Sequence, residues 1–488
     1  IYDGNCALLY SAGDNCATGT GTNYASYVNF DVLPNVEYII RWYGNYAIDD
    51  FAYEITLAPK CTGSTTTWDG TAWSNGAPDA SSYAVINGAY STAANGDVTA
   101  CVMQVDAAIA IDGATDATIS EVLVTSGNSL TIDETSSLTI SGDFTNSGTV
   151  TLDSTADDFS SLIVEGTATG DVVYNRYVNS YTNGWDLIGS PVAMTIADFI
   201  TANGANIEII GGDYAFSQWD NVNKQWIPYA TASQEGSFTA GQGYSMATIT
   251  GATQAYTGPI VTTTQSVSIL NAGGNGAYRR WNLVSNPFPS YLSGNDAAGA
   301  SNFMGVNTAV IDSEYLAVYG WNGTDYTIYN NSTGAFSMAP GQGFFIASSS
   351  TAPEALSFTD SMRSTTGTGD FVLGPQPLTY NVALKLYNGE TEKAATNFYF
   401  KGGLSLGLDP GYDAAAFNQS MKLSTRLPQG AQETAFAINA MDIDALQNTR
   451  VPLAIKQNAG QAFRISIADM DIPEDIYVYL EDTLNGTF

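Results

Sequence analysis

Gly184-Trp185-Asp186-Leu187-Ile188-Gly189-Ser190-Pro191 is answered by Arg280-Trp281-Asn282-Leu283-Val284-Ser285-Asn286-Pro287, with the second tryptophan 96 residues after the first. Further in, Trp219, Trp226 and Tyr229 are matched by Tyr319, Tyr326 and Tyr329, each at an offset of 100. Ala240-Gly241-Gln242-Gly243-Tyr244 meets Pro340-Gly341-Gln342-Gly343-Phe344 at the same offset of 100. A shared order of landmarks at a nearly fixed offset marks a duplicated structural unit. Short apolar runs at 185–188, 315–319 and 343–347 are bounded by Asn, Gly, Pro and Ser, so each copy is expected to be a small all-β domain. In Gly-Gln-Gly-aromatic the glycines mark a sharp turn or a close approach of backbones, and the aromatic anchors the core. Trp219, Trp226, Trp321, Tyr326 and Tyr329 carry two readings: buried area for the core, which is preferred, and an exposed platform for sugar.

Outward from the repeat, 488 residues are enough for several domains, each with its own core. Lys and Arg total 15 against 48 Asp and Glu, a net charge of −33, and histidine is absent. That balance excludes a nucleic-acid partner, which needs clustered cations for phosphate, and disfavours anionic membrane surfaces. With 44% hydrophobic and 12% aromatic residues the chain can bury a core and is not a disordered polyanion. No run reaches the length of a membrane-spanning helix and there is no signal peptide, so membrane insertion is not expected. The abrupt start at Ile1 and end at Phe488 suggest an internal piece of a longer exported protein.

Four cysteines point the same way. Cys6 and Cys16 flank a turn, and Cys61 and Cys101 bracket the next segment, so the preferred pairing of the three is Cys6–Cys16 with Cys61–Cys101. By loop-closure entropy these stabilise by about 3 and about 4 kcal/mol. A zinc site is the rival, but no Cys-x-x-Cys exists and no histidine could join it. Disulfides imply an oxidising compartment.

Residues 1–60 read as part of a β-sandwich, incomplete at its N-terminus, with strands near 28–32, 37–43 and 51–57. Residues 61–175 change texture. Apolar triplets at 122–124, 130–132, 138–140, 150–152 and 162–164 recur every eight to twelve residues between Gly, Asn, Ser and Asp. Brief, regularly spaced strands suit a short parallel β-helix in which each coil buries the next, with a plain sandwich as the alternative. The repeat copies then occupy 176–268 and 269–369, and longer strands over 370–488 suggest a C-terminal β-sandwich. Those strands fall at 380–387, 396–400, 435–438, 451–455, 462–467 and 476–480. The whole is expected to be all-β, with five tandem domains arranged as an elongated rod. Asp409 and Asp413, in Leu408-Asp409-Pro410-Gly411-Tyr412-Asp413-Ala414, could hold a structural calcium ion. The preferred reading is an Asx turn with a helix cap.

These modules resemble the proteins that Bacteroidota export through the type IX secretion system. The resemblance rests on Trp68-Asp69-Gly70-Thr71-Ala72-Trp73-Ser74-Asn75-Gly76, on Ala84-Val85-Ile86-Asn87-Gly88 with Cys101, and on the doubled module ending Ser357-Phe358-Thr359-Asp360-Ser361-Met362-Arg363. Leu408 to Ala414 and Val478-Tyr479-Leu480-Glu481-Asp482 resemble the sandwich that usually precedes the sorting domain of such proteins, and the resemblance implies a chain cut short of that domain. The resemblance implies extracellular or cell-surface localisation and the type IX machinery as a partner. It is poor for activity, because such stalk modules accompany adhesins and enzymes alike. It also implies O-glycosylation motifs at Asp153-Ser154-Thr155, Asp360-Ser361-Met362 and Asp482-Thr483-Leu484.

Catalysis finds little to work with. A Ser or Cys triad wants histidine, and a β-helix lyase wants a cationic or Tyr base, yet no Lys, Arg or His lies between Lys60 and Arg176. Paired carboxylates could make a glycosidase, but 48 acidic residues offer no basis for choosing a pair. The expectation is therefore a non-catalytic adhesin, stalk or fibre-forming subunit that binds itself or surface glycans. The alternative is a carbohydrate-binding accessory region of a larger secreted enzyme. Peptide mass spectrometry without reductant should show Cys6 linked to Cys16 and Cys61 to Cys101, and free thiols at all four would contradict export.

Overall fold

A computed structural model describes residues 61–182, 184–273, 278–295, 301–367, 380–419, 422–430, 433–483 and 485–486, with the backbone of two short paired strands, Cys16–Ala17 and Tyr24–Ala25. The strands expected near 28–32, 37–43 and 51–57, and Cys6, lie outside the described residues. The chain forms two compact units, Ile1–Thr62 and Gly63–Phe488. The fold is all-β, 45% strand against 7% helix, so the class follows the strand periodicity of the sequence. Cys61 and Cys101 are both in disulfide linkage.

From Thr65 the chain winds a parallel β-solenoid of about 5 turns. One sheet stacks Thr65–Trp68, Tyr83–Ile86, Ala100–Val105, Asp116–Val124, Ser137–Ile140 and Ser161–Val164. The other stacks Tyr90–Ser91, Ala108–Ile111, Ser129–Ile132, Thr149–Leu152 and Val172–Val178. Alternation along each strand sends every second side chain inward, and parallel register then aligns like with like. Trp68, Ile86, Val105 and Val124 form one buried column. Ile111, Ile132, Leu152 and Tyr174 form another.

A solenoid must close its two ends, because an open edge offers unpaired amides and carbonyls to any passing strand. At the first turn Trp68, Trp73 and Tyr90 pack ring against ring within 5.8 Å. Asp69 holds that turn by accepting bonds from the Thr71 and Ala72 amides. At the last turn both edges are closed by the repeat. Ala252–Gly258 of copy 1 pairs antiparallel with Val172–Val178. Residues of copy 2 cover the other sheet, where the Leu162 amide donates to Pro289 O at 2.7 Å and Arg363 Nη1 donates to Val164 O at 2.8 Å.

The two copies share one topology. In copy 1, Asp186–Ile188 pairs with Tyr244–Met246, which pairs with Asp213–Asp220, which pairs with Gln225–Ala230. In copy 2 the same order joins Trp281–Ser285, Gly343–Ala347, Val318–Trp321 and Tyr326–Tyr329. Each copy also carries a short helix the strand-based reading left out, Ile196–Asn203 and Phe303–Asn307. Asn203 exchanges two bonds with the Ala255 main chain at 2.8 and 2.9 Å, and Asn307 does the same with Ser357. The register corrects one landmark. Trp219 pairs with Trp226 and Trp321 with Tyr326, so Trp219 answers Trp321 rather than Tyr319. The hairpin loop is two residues longer in copy 1, which shifts the offset from 100 to 102 on the incoming strand.

The copies bind each other reciprocally. The Gly189 amide donates to Gly341 O at 2.8 Å, and at the matching place the Ser285 amide donates to Gly241 O at 2.9 Å. Ile188 bridges Gln342 as Gln242 bridges Val284. This is the self-complementary pattern of a two-fold interface, here between two halves of one chain. It accounts for the Gly-Gln-Gly motif. A Cβ on Gly243 would lie 2.7 Å from Val284 O, and one on Gly343 would lie 2.6 Å from Leu187 C.

The divisions expected at 175/176, 268/269 and 369/370 are not divisions of the core. One buried cluster joins Leu152 and Tyr174 of the solenoid to Phe199, Phe216 and Tyr244 of copy 1. Another joins Leu187 and Leu283 of the two copies to Ala414, Phe436 and Ile438 of the C-terminal region. Each element has one apolar face too many to be stable alone and buries it on the next. The C-terminal region forms a seven-stranded sheet including Tyr380–Asn388, Thr391–Phe400, Phe436–Met441 and the edge strand Arg464–Asp471. The strand expected at 476–480 does not form: Tyr477, Val478, Tyr479 and Leu480 are exposed and join no ladder. β-Propensity without a partner strand makes no sheet.

Replacing Gly243 or Gly343 by Ala should each destabilise by about 3 kcal/mol, the upper end of overpacking costs. Gly402→Ala, where an added Cβ meets nothing within 4 Å, should be near neutral. Chemical denaturation of the three variants reads this directly.

Candidate functional site

Four of the five aromatics singled out in the sequence converge where the two copies and the C-terminal region meet. Trp219 and Trp226 pack edge to face at 5.2 Å, and both reach Phe345 of copy 2, at 6.0 and 6.2 Å. From the other side Tyr326 reaches Phe345 at 5.9 Å and Trp321 at 5.0 Å. Trp219 Nε1 also donates to Trp281 O at 3.0 Å. Tyr329 stands apart. It lies three residues after Tyr326 on one strand, so alternation turns it to the opposite face, into the copy 2 core beside Phe336. Burial pushes the Tyr326 and Tyr329 hydroxyls well above the usual phenol range, so both stay neutral.

The sequence reading missed the ring at the centre of this cluster. Phe417 stacks on Trp281 at 4.3 Å and on Tyr326 at 3.9 Å, with interplanar angles of 25° and 16°. It arrives from a segment of the C-terminal region without a pattern of its own, so no local signal could place it. Phe345 and Trp281 were visible as strand residues, but their convergence was not.

Asp409 and Asp413 deliver Phe417 to that position. The Asp409 amide donates to Asp413 Oδ2 and the Ala440 amide to Asp413 Oδ1, each at 2.7 Å. Asp409 Oδ2 in turn accepts from the Ser405 amide at 2.7 Å. Each carboxylate accepts from a main-chain amide four residues earlier in the chain, which differs from the expected Asx turn, where the side chain accepts from the amide two residues on. The helical step expected after it is a turn followed by the two-residue strand Ala414–Ala415. No group of three or more His, Cys, Asp or Glu side chains suited to a metal ion occurs among the described residues. The turn is tied to copy 2 by Asn330 Nδ2 and Ser332 Oγ, which both donate to Tyr412 O at 2.9 Å.

Of the three hydroxyls in glycosylation-like motifs, Ser361 and Thr483 are exposed. Ser154 is buried, donating to Asn175 O and accepting from the Tyr177 amide, both at 2.8 Å. The fully buried Arg176 donates from Nε to Pro340 O at 3.1 Å, which spends the first cation after Lys60 on holding copy 2 against the solenoid.

Residues 67–488 match the model of the family described as Domain of unknown function (DUF8693), and the chain belongs to that family. No curated protein and no solved structure matches it.

Asp413 makes the stability of this junction depend on pH. Burial raises its carboxyl to about 7, against the pull of the two amide donors, and the Asp409 carboxylate adds to the rise. A group raised from 3.8 to about 7 on folding stabilises fully below about pH 4, and that contribution is lost as pH climbs through 7. The carboxylates held low by turn bonds, among them Asp69, Asp79 and Asp442, titrate below this window. Thermal unfolding should therefore show stability falling from pH 5 to pH 8, and Asp413→Asn should remove that slope.

Proposed function

We propose that this member of the family is a non-catalytic extracellular surface protein, an adhesive or stalk segment exported by the type IX route. The observation that carries the reading is the use of the chain's functional-looking groups as structure. The aromatic cluster seals a three-way junction, the Asp409–Asp413 pair builds a turn, and Arg176 is a buried strut. Disulfide linkage at Cys61 and Cys101 supports an oxidising compartment, and the absence of histidine supports a role without acid–base chemistry. Mutual closure of solenoid, repeat and C-terminal sheet suits a part that bears load outside the cell, where no chaperone refolds it.

A second reading, a carbohydrate-binding accessory region, draws on one observation, the exposure of Trp226 at the rim of the aromatic cluster. On the first reading, antibody against the chain should label intact cells of the source organism, and labelling should vanish when type IX export is blocked. Signal confined to lysed cells would refute it.

A further inference from the structure

The duplication lets one copy serve as a control for the other. In copy 2, Phe417 lies against the faces of Trp281 and Tyr326 in a near-parallel stack. The floor beneath it is Tyr319 and Phe345, which are register partners on adjacent strands and lie 6.1 and 5.4 Å from the Phe417 ring. This is an apolar clamp filled by an apolar ring.

The same register identifies the equivalent residues in copy 1. Trp226 stands where copy 2 has Tyr326, since each pairs across its hairpin with Trp219 or Trp321. Trp185 stands where copy 2 has Trp281, one residue before the pairing of Asp186 with Met246. Ser217 pairs with Ser245 and with Pro228, as Tyr319 pairs with Phe345 and with Ile328, so two serines replace the two floor aromatics. Trp226 is 38% exposed and Trp185 is half-buried. Among the described residues no ring stacks on either: Trp226 makes T-shaped contacts with Trp219 and Phe345, and Trp185 one with Tyr181 at 6.0 Å. Ser217 and Ser245 are themselves buried, at 6% and 7% exposure, and their hydroxyls make no hydrogen bond among the described residues.

We propose that Trp185 and Trp226, over the Ser217 and Ser245 hydroxyls, form a clamp for a neutral pyranose ring of a surface glycan. The change of floor decides the ligand. A phenyl ring suits Tyr319 and Phe345, whereas a ring with apolar faces and hydroxyl edges suits indole walls over two buried hydroxyls that make no hydrogen bond among the described residues. The net charge of −33 selects neutral sugars over uronates or sulfated ones. The inference rests on the surface-adhesive reading and supplies its ligand.

The test is calorimetric titration of the intact chain with cellohexaose, xylohexaose and mannohexaose, and separately with a peptide of the chain's own sequence 412–420. At least one oligosaccharide should bind saturably and the peptide should not. Trp226→Ala should weaken binding at least about tenfold, the scale on which truncation of an anchoring aromatic acts. Trp226→Tyr should restore most of it. Ser217→Ala with Ser245→Ala, which leaves both indoles in place, should weaken binding several-fold and guards against a folding artefact in the tryptophan variant. Binding that survives Trp226→Ala, binding of the peptide instead, or no binding of any of the three sugars would overturn the clamp. Surface labelling of intact cells would still stand in each case, so the two claims fail separately.

Discussion

Two amide-to-carbonyl bonds, Gly189 to Gly341 and Ser285 to Gly241, hold the molecule's organisation together. They are equivalent bonds in opposite directions, made because each copy presents its Gly-Gln-Gly turn to the first strand of the other. Backbones approach that closely only where no side chain intervenes, and this fixes glycine at 243 and 343. Once the copies are locked, their outer elements are placed as well. Copy 1 reaches back to pair with the last solenoid strand, and copy 2 reaches back to cover the other solenoid sheet. The reciprocal interface thus closes the solenoid, whose exposed edges would otherwise recruit other strands.

Duplication followed by divergence explains why two similar modules have different surroundings. Copy 2 has large aromatics on the face that meets the C-terminal sheet, and Tyr319 donates to Ala415 O at 2.8 Å from within that contact. Copy 1 has serines at the corresponding positions and leaves its hairpin strand Gln225–Ala230 largely open. The filled clamp of copy 2 and the serine-floored face of copy 1 are two outcomes of one geometry, set by two residues on adjacent strands.

Charge is managed in the same economical way. With −33 spread over the surface, like charges repel and keep copies of the chain apart. Three of the 15 cations bind main chain or a carboxylate within this framework: Arg176 on Pro340 O, Arg363 on Val164 O, Arg280 on Asp312 at 3.0 Å. The edge strand Arg464–Asp471 carries a register shift between the pairings at Ala383 and Leu384, and a bulge on an edge discourages further strands from adding.

Periodicity alone determined the all-β class, the solenoid and the repeat, because alternation and recurrence are properties of neighbours along the chain. Trp185 and Trp281, the Gly-Gln-Gly turns and the triplets at 122–124, 130–132 and 138–140 were legible for that reason. A turn between Asp409 and Asp413 was legible too, being built from residues four apart. Tertiary structure decided where domains do not divide, since Leu187, Leu283 and Phe436 share a core across about 250 residues of chain. It decided that 476–480, a strand by propensity, pairs with nothing. It also decided that Trp219 answers Trp321, because a hairpin loop of different length shifts register without changing the pattern on either side. Phe417 is the clearest case. Its role comes from two rings it meets 136 and 91 positions earlier in the chain, and no local pattern carries information about partners so distant.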